Sequence, residues 1–271
     1  MGRMLNGLVV LLTGASSGIG RMTALALAEK GATLALVARR IQKLEEVVEK
    51  IRAEGGVAIS IPADVTVPGS MHRAIQGCVS QYGRIDVLVN NAGEGLFASV
   101  EQTSEEDLDR MLAVNFKGGF YAIRAALPVM RRQGGGHIIN VASTAGRRGS
   151  PFVSAYCASK FAAVGMTESL RVELLGSGIR VSLFCPGATR TEFFDTARRY
   201  TPLHRGVVGP VESSEQVAAR LVKLIERPRA EVVAQPFRRK AFFILNVIAP
   251  SLIDQFLRRA IGSSSLLRGQ T

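Results

Sequence analysis

Seven short apolar runs punctuate the chain: "GLVVLLTG", "ATLALVAR", "VAISIPAD", "IDVLVNNAG", "GHIINVAS", "IRVSLFCPG" and "AEVVAQP". Each is apolar almost throughout rather than at every second residue, the pattern of strands covered on both faces. The stretches between them are long enough for helices, and parallel neighbours need such crossovers. A parallel, doubly wound α/β sheet of seven strands with right-handed connections follows. In such sheets ligands sit beyond the carboxyl ends of the strands, so those ends are where chemistry is sought.

At the first strand end, "TGASSGIG" sets Gly14, Gly18 and Gly20 between a strand and a helix expected to begin near Ile19. Glycines there let backbone approach a pyrophosphate, which the amides of a helix N-terminus favour. Ser16 and Ser17 complete the turn, and Thr13 and Ser16 offer hydroxyl contacts. The second strand ends in Arg39 and Arg40, where folds that choose NAD carry an acidic residue. Two guanidiniums suit a 2′-phosphate in charge and fork geometry, so NADP(H) is the expected cofactor. Arg40 could equally face solvent. The third strand ends at Asp64 and Val65, read as an adenine contact or a loop cap. "NNAG" closes the fourth, where Asn91, Ala92 and Gly93 let backbone pass close to a ligand, although Asn90 and Asn91 could instead bond neighbouring strands.

"SAYCASKFAAVG" places Tyr156 and Lys160 four residues apart, on one face of a helix, so a phenol and an ammonium could act on one substrate atom. Alone, the pair could be an ordinary surface contact. The ordered set of T-G-x-x-x-G-I-G, N-N-A-G, Asn115, Ser143, Y-x-x-x-K and "PGATRT", spanning about residues 7–235, resembles the short-chain dehydrogenase/reductase family. That resemblance implies a Rossmann-like domain and four catalytic residues. Tyr156 would be the proton donor in carbonyl reduction, and Lys160 would lower its pKa and bond the nicotinamide ribose. Ser143 would bond the substrate oxygen, and Asn115 would interrupt a helix to hold a relay water. It also implies that Pro186, Gly187 and Thr191 contact the nicotinamide.

The resemblance places a mobile substrate lid at about 189–210, where Phe193, Phe194 and Tyr200 suit an apolar pocket. It thins out near residue 236, dividing the chain into a cofactor-binding catalytic domain, 1–236, and an apolar, basic helical extension, 237–271, which would act as substrate lid, dimer contact or membrane-surface contact. The substrate expected is a lipophilic ketone or aldehyde, or the corresponding alcohol. The alternatives are reduction of a 3-oxoacyl group on a carrier protein, which Arg147 and Arg148 could attract, and a non-catalytic NADP(H) sensor. A homo-oligomer, dimer or tetramer, is expected, although the unusual C-terminal sequence puts the common tetramer in doubt.

Composition narrows the remaining classes. The 271 residues carry 34 Lys and Arg against 22 Asp and Glu, a net charge of +12. Half of the excess lies in residues 227–271, where eight cations oppose Glu231 and Asp254. No recognition helix, RNP-like aromatic motif or zinc module accompanies it, so no nucleic-acid partner is expected. The three cysteines and three histidines are dispersed without metal-ligand spacing, which argues against a disulfide framework or metal site and fits a reducing, cytoplasmic setting. "LVVLL" is too short for a signal core, and the apolar C-terminal run, broken by Asn246 and Pro250, is too short to span a bilayer. Its flanking cations suit peripheral membrane contact.

Overall fold

The strands form where the apolar runs lie: β1 (Val9–Thr13), β2 (Thr33–Ala38), β3 (Val57–Pro62), β4 (Val87–Asn90), β5 (Gly136–Val141), β6 (Ile179–Cys185) and β7 (Glu231–Val233). A computed structural model describes residues 4–200, 211–233 and 245–262 of the chain. The seven strands make one sheet in the order β7-β6-β5-β4-β1-β2-β3, every pairing parallel. Among the described residues this is a Rossmann-like sheet. The expected division near residue 236 falls outside the described residues.

Each strand face needs a cover because both are apolar. Helices α1 (Gly18–Ala28) and α2 (Ile41–Ala53) contribute Leu25, Leu27, Leu44 and Ile51 to one face. The other face receives Met71 and Ile75 of α3 (Ser70–Tyr82). Helix α4 (Glu105–Leu112) passes through a π-helical turn, Ala113–Lys117, directly into α5 (Gly118–Arg132), which adds Ile123 and Val129. Beyond these lie α6 (Ser154–Glu173), α7 (Ser214–Glu226) and α8 (Pro250–Gly262). Ser213 starts α7 with a reciprocal capping box through Gln216, satisfying donors that the first helical turn leaves unpaired.

The chain winds from β1 to β3 in one direction and then returns to add β4 on the other side of β1. Strand order therefore reverses between β1 and β4, and their carboxyl ends flank a crevice. Asn90, at the end of β4, donates from Nδ2 to Asn140 Oδ1 of β5 at 2.9 Å, and Asn140 Nδ2 donates to Thr167 Oγ1 at 2.9 Å. That buried ladder braces the strands behind the crevice, the structural alternative for Asn90.

Candidate active site

One continuous cavity of about 870 Å³ lies over the crevice. Its floor at one end is the turn between β1 and α1. Gly14 has φ +68°, in the left-handed region, and a Cβ there would stand 2.9 Å from Ala92 Cα. A Cβ on Gly20 would lie 2.2 Å from Gly14 O, so only glycine lets the turn close this tightly. Helix α1 starts at Gly18, one residue before the expected position. Ser16, Ser17, Gly18 and Ile19 line the cavity, so a bare backbone cradle opens at a helix N-terminus.

Thr13 and Asn91 hold that cradle from behind. The Thr13 hydroxyl accepts from Asn91 N at 3.0 Å and Ala92 N at 3.1 Å, while Asn91 Nδ2 donates to the carbonyls of Thr13 and Gly14. These hydrogen bonds tie the end of β4 to the glycine turn and leave Asn91 lining the cavity as a brace. Thr13 is buried and outside the cavity lining, so the suggested hydroxyl contact becomes a structural one.

Beyond the end of β2, both arginines reach carboxylates. Arg39 pairs with Glu94 and lies 3.7 Å from Asp64, while Arg40 Nη1 lies 2.9 Å from Glu192 and its Nη2 donates to Ser16 Oγ at 3.3 Å. Asp64 also caps its own loop, accepting from Thr66 N and Thr66 Oγ1. Burial acts to raise the Asp64 pKa, but the Thr66 hydrogen bonds and the Arg39 charge outweigh it and hold the carboxyl below its usual range. Of its two expected roles, the loop cap is the one formed by these hydrogen bonds, and Asp64 also lines the cavity. Val65 is buried and lines the cavity beside it.

The other end is lined by Ser143, Tyr156 and Lys160, while Asn115 is buried behind Gly93, outside the lining. The first turn of α6 carries Tyr156, whose hydroxyl is hydrogen-bonded to Ser143, just beyond β5. One turn on, Lys160 is buried with Nζ 5.8 Å from the Tyr156 ring centre, donating to Val141 O at 3.2 Å. Asn115 sits in the π-helical turn, the interruption expected of it; such turns recur at functional sites. Its Oδ1 accepts from Glu94 N at 2.9 Å, and its Nδ2 donates to Glu94 O and to Ser159 Oγ, each at 3.0 Å. Ala92, Gly93, Pro186, Gly187 and Thr191 complete the lining.

Residues 8–201 match the short chain dehydrogenase family. The chain belongs to that family. It is an oxidoreductase of the short-chain type, similar to an oxidoreductase of Thermotoga maritima (45% identity over 69% of this chain and 73% of the relative). It is also similar to the ketoacyl reductase HetN of a Nostoc species (34% identity over 94% of this chain and 89% of the relative). A solved short-chain dehydrogenase/reductase from Burkholderia phymatum, in complex with NAD, superimposes with a TM-score of 0.85 at 27% identity, covering 92% of this chain and 96% of that one. A metagenomic short-chain oxidoreductase in complex with NADP gives 0.74 at 33% identity, covering 86% and 99%.

In this oxidoreductase, burial governs the two titrating groups. It pushes the Tyr156 phenol up to about 12 against the smaller opposing effect of its Ser143 hydrogen bond, and pushes the Lys160 amine down to about 8. Burial is thus the largest influence on both groups in the protein alone, whereas the expected lowering of the Tyr156 pKa by Lys160 also invokes a neighbouring oxidised nicotinamide.

The sequence reading missed several parts of the site. Glu94, directly after "NNAG", accepts from Arg110 through both carboxylate oxygens at 2.8 Å and so stands between Arg39 and Asn115. Its only signal was a charge following a run of small residues. The Phe193 ring lies 5.7 Å from that of Tyr156, and Phe194 bridges Phe193 to Phe97, forming an aromatic wall. Helix α8 buries Ile253 and Leu257, and Leu257 lines the cavity. Arg147 pairs with Glu168 and Glu231, and Arg148 with Asp254 of α8, so both arginines expected to await an acidic carrier are already engaged. The expected lid is described only to Tyr200. No helix among the described residues is long and apolar enough to cross a membrane, and no group of metal-binding side chains occurs among them.

Proposed function

We propose that this oxidoreductase reduces a lipophilic ketone or aldehyde with NADPH, Tyr156 giving the proton to the carbonyl oxygen. The observation that carries this reading is the joining, in one cavity, of a glycine cradle flanked by Arg39 and Arg40 with the Tyr156–Ser143 pair. The cradle fits a pyrophosphate, since Ser16, Ser17, Gly18 and Ile19 line it at the N-terminus of α1. Gly18 and Ile19 would hold that pyrophosphate, with Gly20 outside the lining and packed on the Gly14 carbonyl; Arg39 and Arg40 would hold the 2′-phosphate, Asp64 and Val65 the adenine, and Pro186, Gly187 and Thr191 the nicotinamide. When bound, the reduced cofactor supplies hydride to the carbonyl carbon.

The chain supplies the rest. A phenol whose pKa is raised to about 12 stays protonated near neutrality, the state a proton donor needs. The Ser143 hydroxyl donates to the same carbonyl oxygen and stabilises negative charge growing there. Once Tyr156 has given its proton, the Lys160 ammonium stabilises the phenolate on the same helical face, and Asn115 keeps the π-helical turn against Glu94 and Ser159. Leu96, Phe97, Phe193, Phe194 and Leu257 make the wall apolar, which favours a substrate with a hydrocarbon body.

A second reading, reduction of a carrier-linked 3-oxoacyl group, draws support from the similarity to the ketoacyl reductase HetN. The paired state of Arg147 and Arg148 favours a free substrate. Assaying a ketone panel in free and carrier-linked forms, with NADPH and NADH, decides between them: turnover of free apolar ketones with NADPH is expected, and turnover of carrier thioesters alone would overturn it. The non-catalytic sensor predicts no turnover with any member.

Two partner proposals accompany this reading. Val247, Ile248 and Leu252 are exposed on the same C-terminal segment as the exposed Arg258 and Arg259, a combination suited to an anionic membrane surface. Co-sedimentation with phosphatidylserine vesicles but not with neutral ones is the expected result. Leu108 and Phe161 are exposed on the packed helices α4 and α6, which favours self-association through that face, and light scattering should read a mass above 29.0 kDa.

A further inference from the structure

The short segment Thr191–Phe194 joins the two ends of the cavity. Thr191 leans over the glycine turn, its Cβ 3.0 Å from where a Cβ on Gly18 would lie, and its Oγ1 accepts from Phe193 N at 3.2 Å. The next two side chains diverge. Glu192 points to the adenosine end: Arg40 Nη1 donates to its Oε2 at 2.9 Å, and Lys43 Nζ donates to Oε1 at 3.0 Å and Oε2 at 3.1 Å. Phe193 points the other way, onto Tyr156, at 5.7 Å between ring centres.

Arg40 simultaneously donates to Ser16 in the glycine turn. A guanidinium held between that turn and a carboxylate is already satisfied by an anion that belongs to the chain. Arg39 differs, because its carboxylates, Asp64 and Glu94, are fixed by Thr66 and by Arg110. The Glu192 contacts involve side chains that keep 40–45% of their surface exposed, so they are weak enough to exchange for a ligand.

We propose that Glu192 is a specificity-determining residue, an internal carboxylate that the cofactor's 2′-phosphate displaces from Arg40, releasing the segment that holds Phe193 against Tyr156. NADPH then opens the substrate end of the cavity on binding, while NADH, with a free 2′-hydroxyl, leaves Glu192 paired. The proposal rests on reading Arg40 as a phosphate contact. The Arg40 and Lys43 charges also hold the Glu192 carboxyl below its usual range, so it competes as an anion throughout the neutral region.

The test uses two adenosine fragments without a nicotinamide, 2′,5′-ADP and 5′-AMP, titrated calorimetrically into the full chain. Glu192→Gln should tighten 2′,5′-ADP about fivefold and leave 5′-AMP unchanged. The chain has no tryptophan, so a Phe194→Trp substitution gives a single indole reporter within the segment. Its emission should shift with 2′,5′-ADP, stay fixed with 5′-AMP, and already be shifted when Glu192→Gln is added. Arg40→Ala separates the two levels of the argument. If it leaves the preference for 2′,5′-ADP intact, Arg40 is no phosphate contact and both readings fall. If it abolishes the preference while Glu192→Gln changes neither affinity nor emission, Arg40 keeps its role and the Glu192 proposal is overturned.

Discussion

The two ends of the cavity solve opposite electrostatic problems. At the adenosine end Arg39, Arg40, Asp64, Glu94 and Glu192 form ion pairs with their side chains between about a quarter and a half exposed. Solvent screens these pairs, each one contributes little, and a phosphate can exchange into them. At the catalytic end Lys160 is buried, Tyr156 is packed against Phe193, and Asn115 and Ser159 are satisfied by fixed hydrogen bonds. There desolvation rules, and what can change is protonation rather than the pairing of charges. Affinity for a charged ligand is adjustable at one end, while proton affinity is set by the fold at the other.

Substituting Lys160 tests the buried end with the largest expected effect. Lys160→Met should lower turnover by about 10²–10⁴-fold while NADPH still binds. It should also remove a pH dependence of stability. The folded pKa of about 8 lies below the ordinary 10.5, so between those values the unfolded chain binds more protons and stability rises with pH. Denaturant melts of the cofactor-free protein should show wild type gaining up to roughly 3 kcal/mol relative to Lys160→Met across that window. Parallel curves would mean that the amine is solvated.

At the exposed end the effect is smaller and selective. Arg39→Ala should weaken NADPH about 10- to 100-fold and NADH little, as read by nicotinamide fluorescence titration, because a charge-assisted phosphate contact is lost. Equal losses would remove the contrast between the ends. Smallest is Leu257→Ala, which trims the apolar wall from α8. It should raise KM for a long-chain ketone about tenfold and leave acetone-sized substrates unchanged, the transfer cost of a partly buried leucine.

How legible each end was in the sequence follows the same division. The sheet was readable because strands buried on both faces must be apolar throughout, and the glycine turn because Gly14 and Gly20 meet backbone that tolerates no Cβ. The pair Tyr156 and Lys160 was readable because a helix converts a spacing of four into one face. Glu94, Arg110, Glu192 and Leu257 were not readable, since no local period links them to their partners, which for Glu94 and Arg110 lie 16 positions apart. Arg40 and Glu192, for example, are 152 positions apart. The burial that raises the Tyr156 pKa was unreadable for a related reason: a charge partner can be read from spacing, whereas burial is a property of the whole fold.

The central claim is that the Tyr156 hydroxyl, and no other group, delivers the proton. Single-turnover absorbance at the nicotinamide band, with NADPH pre-bound to Tyr156→Phe and saturating ketone added, tests it most directly. The account predicts NADPH affinity within about twofold of wild type and oxidation slowed by at least about 10³-fold. NADPH oxidation at the wild-type rate in that variant would contradict it.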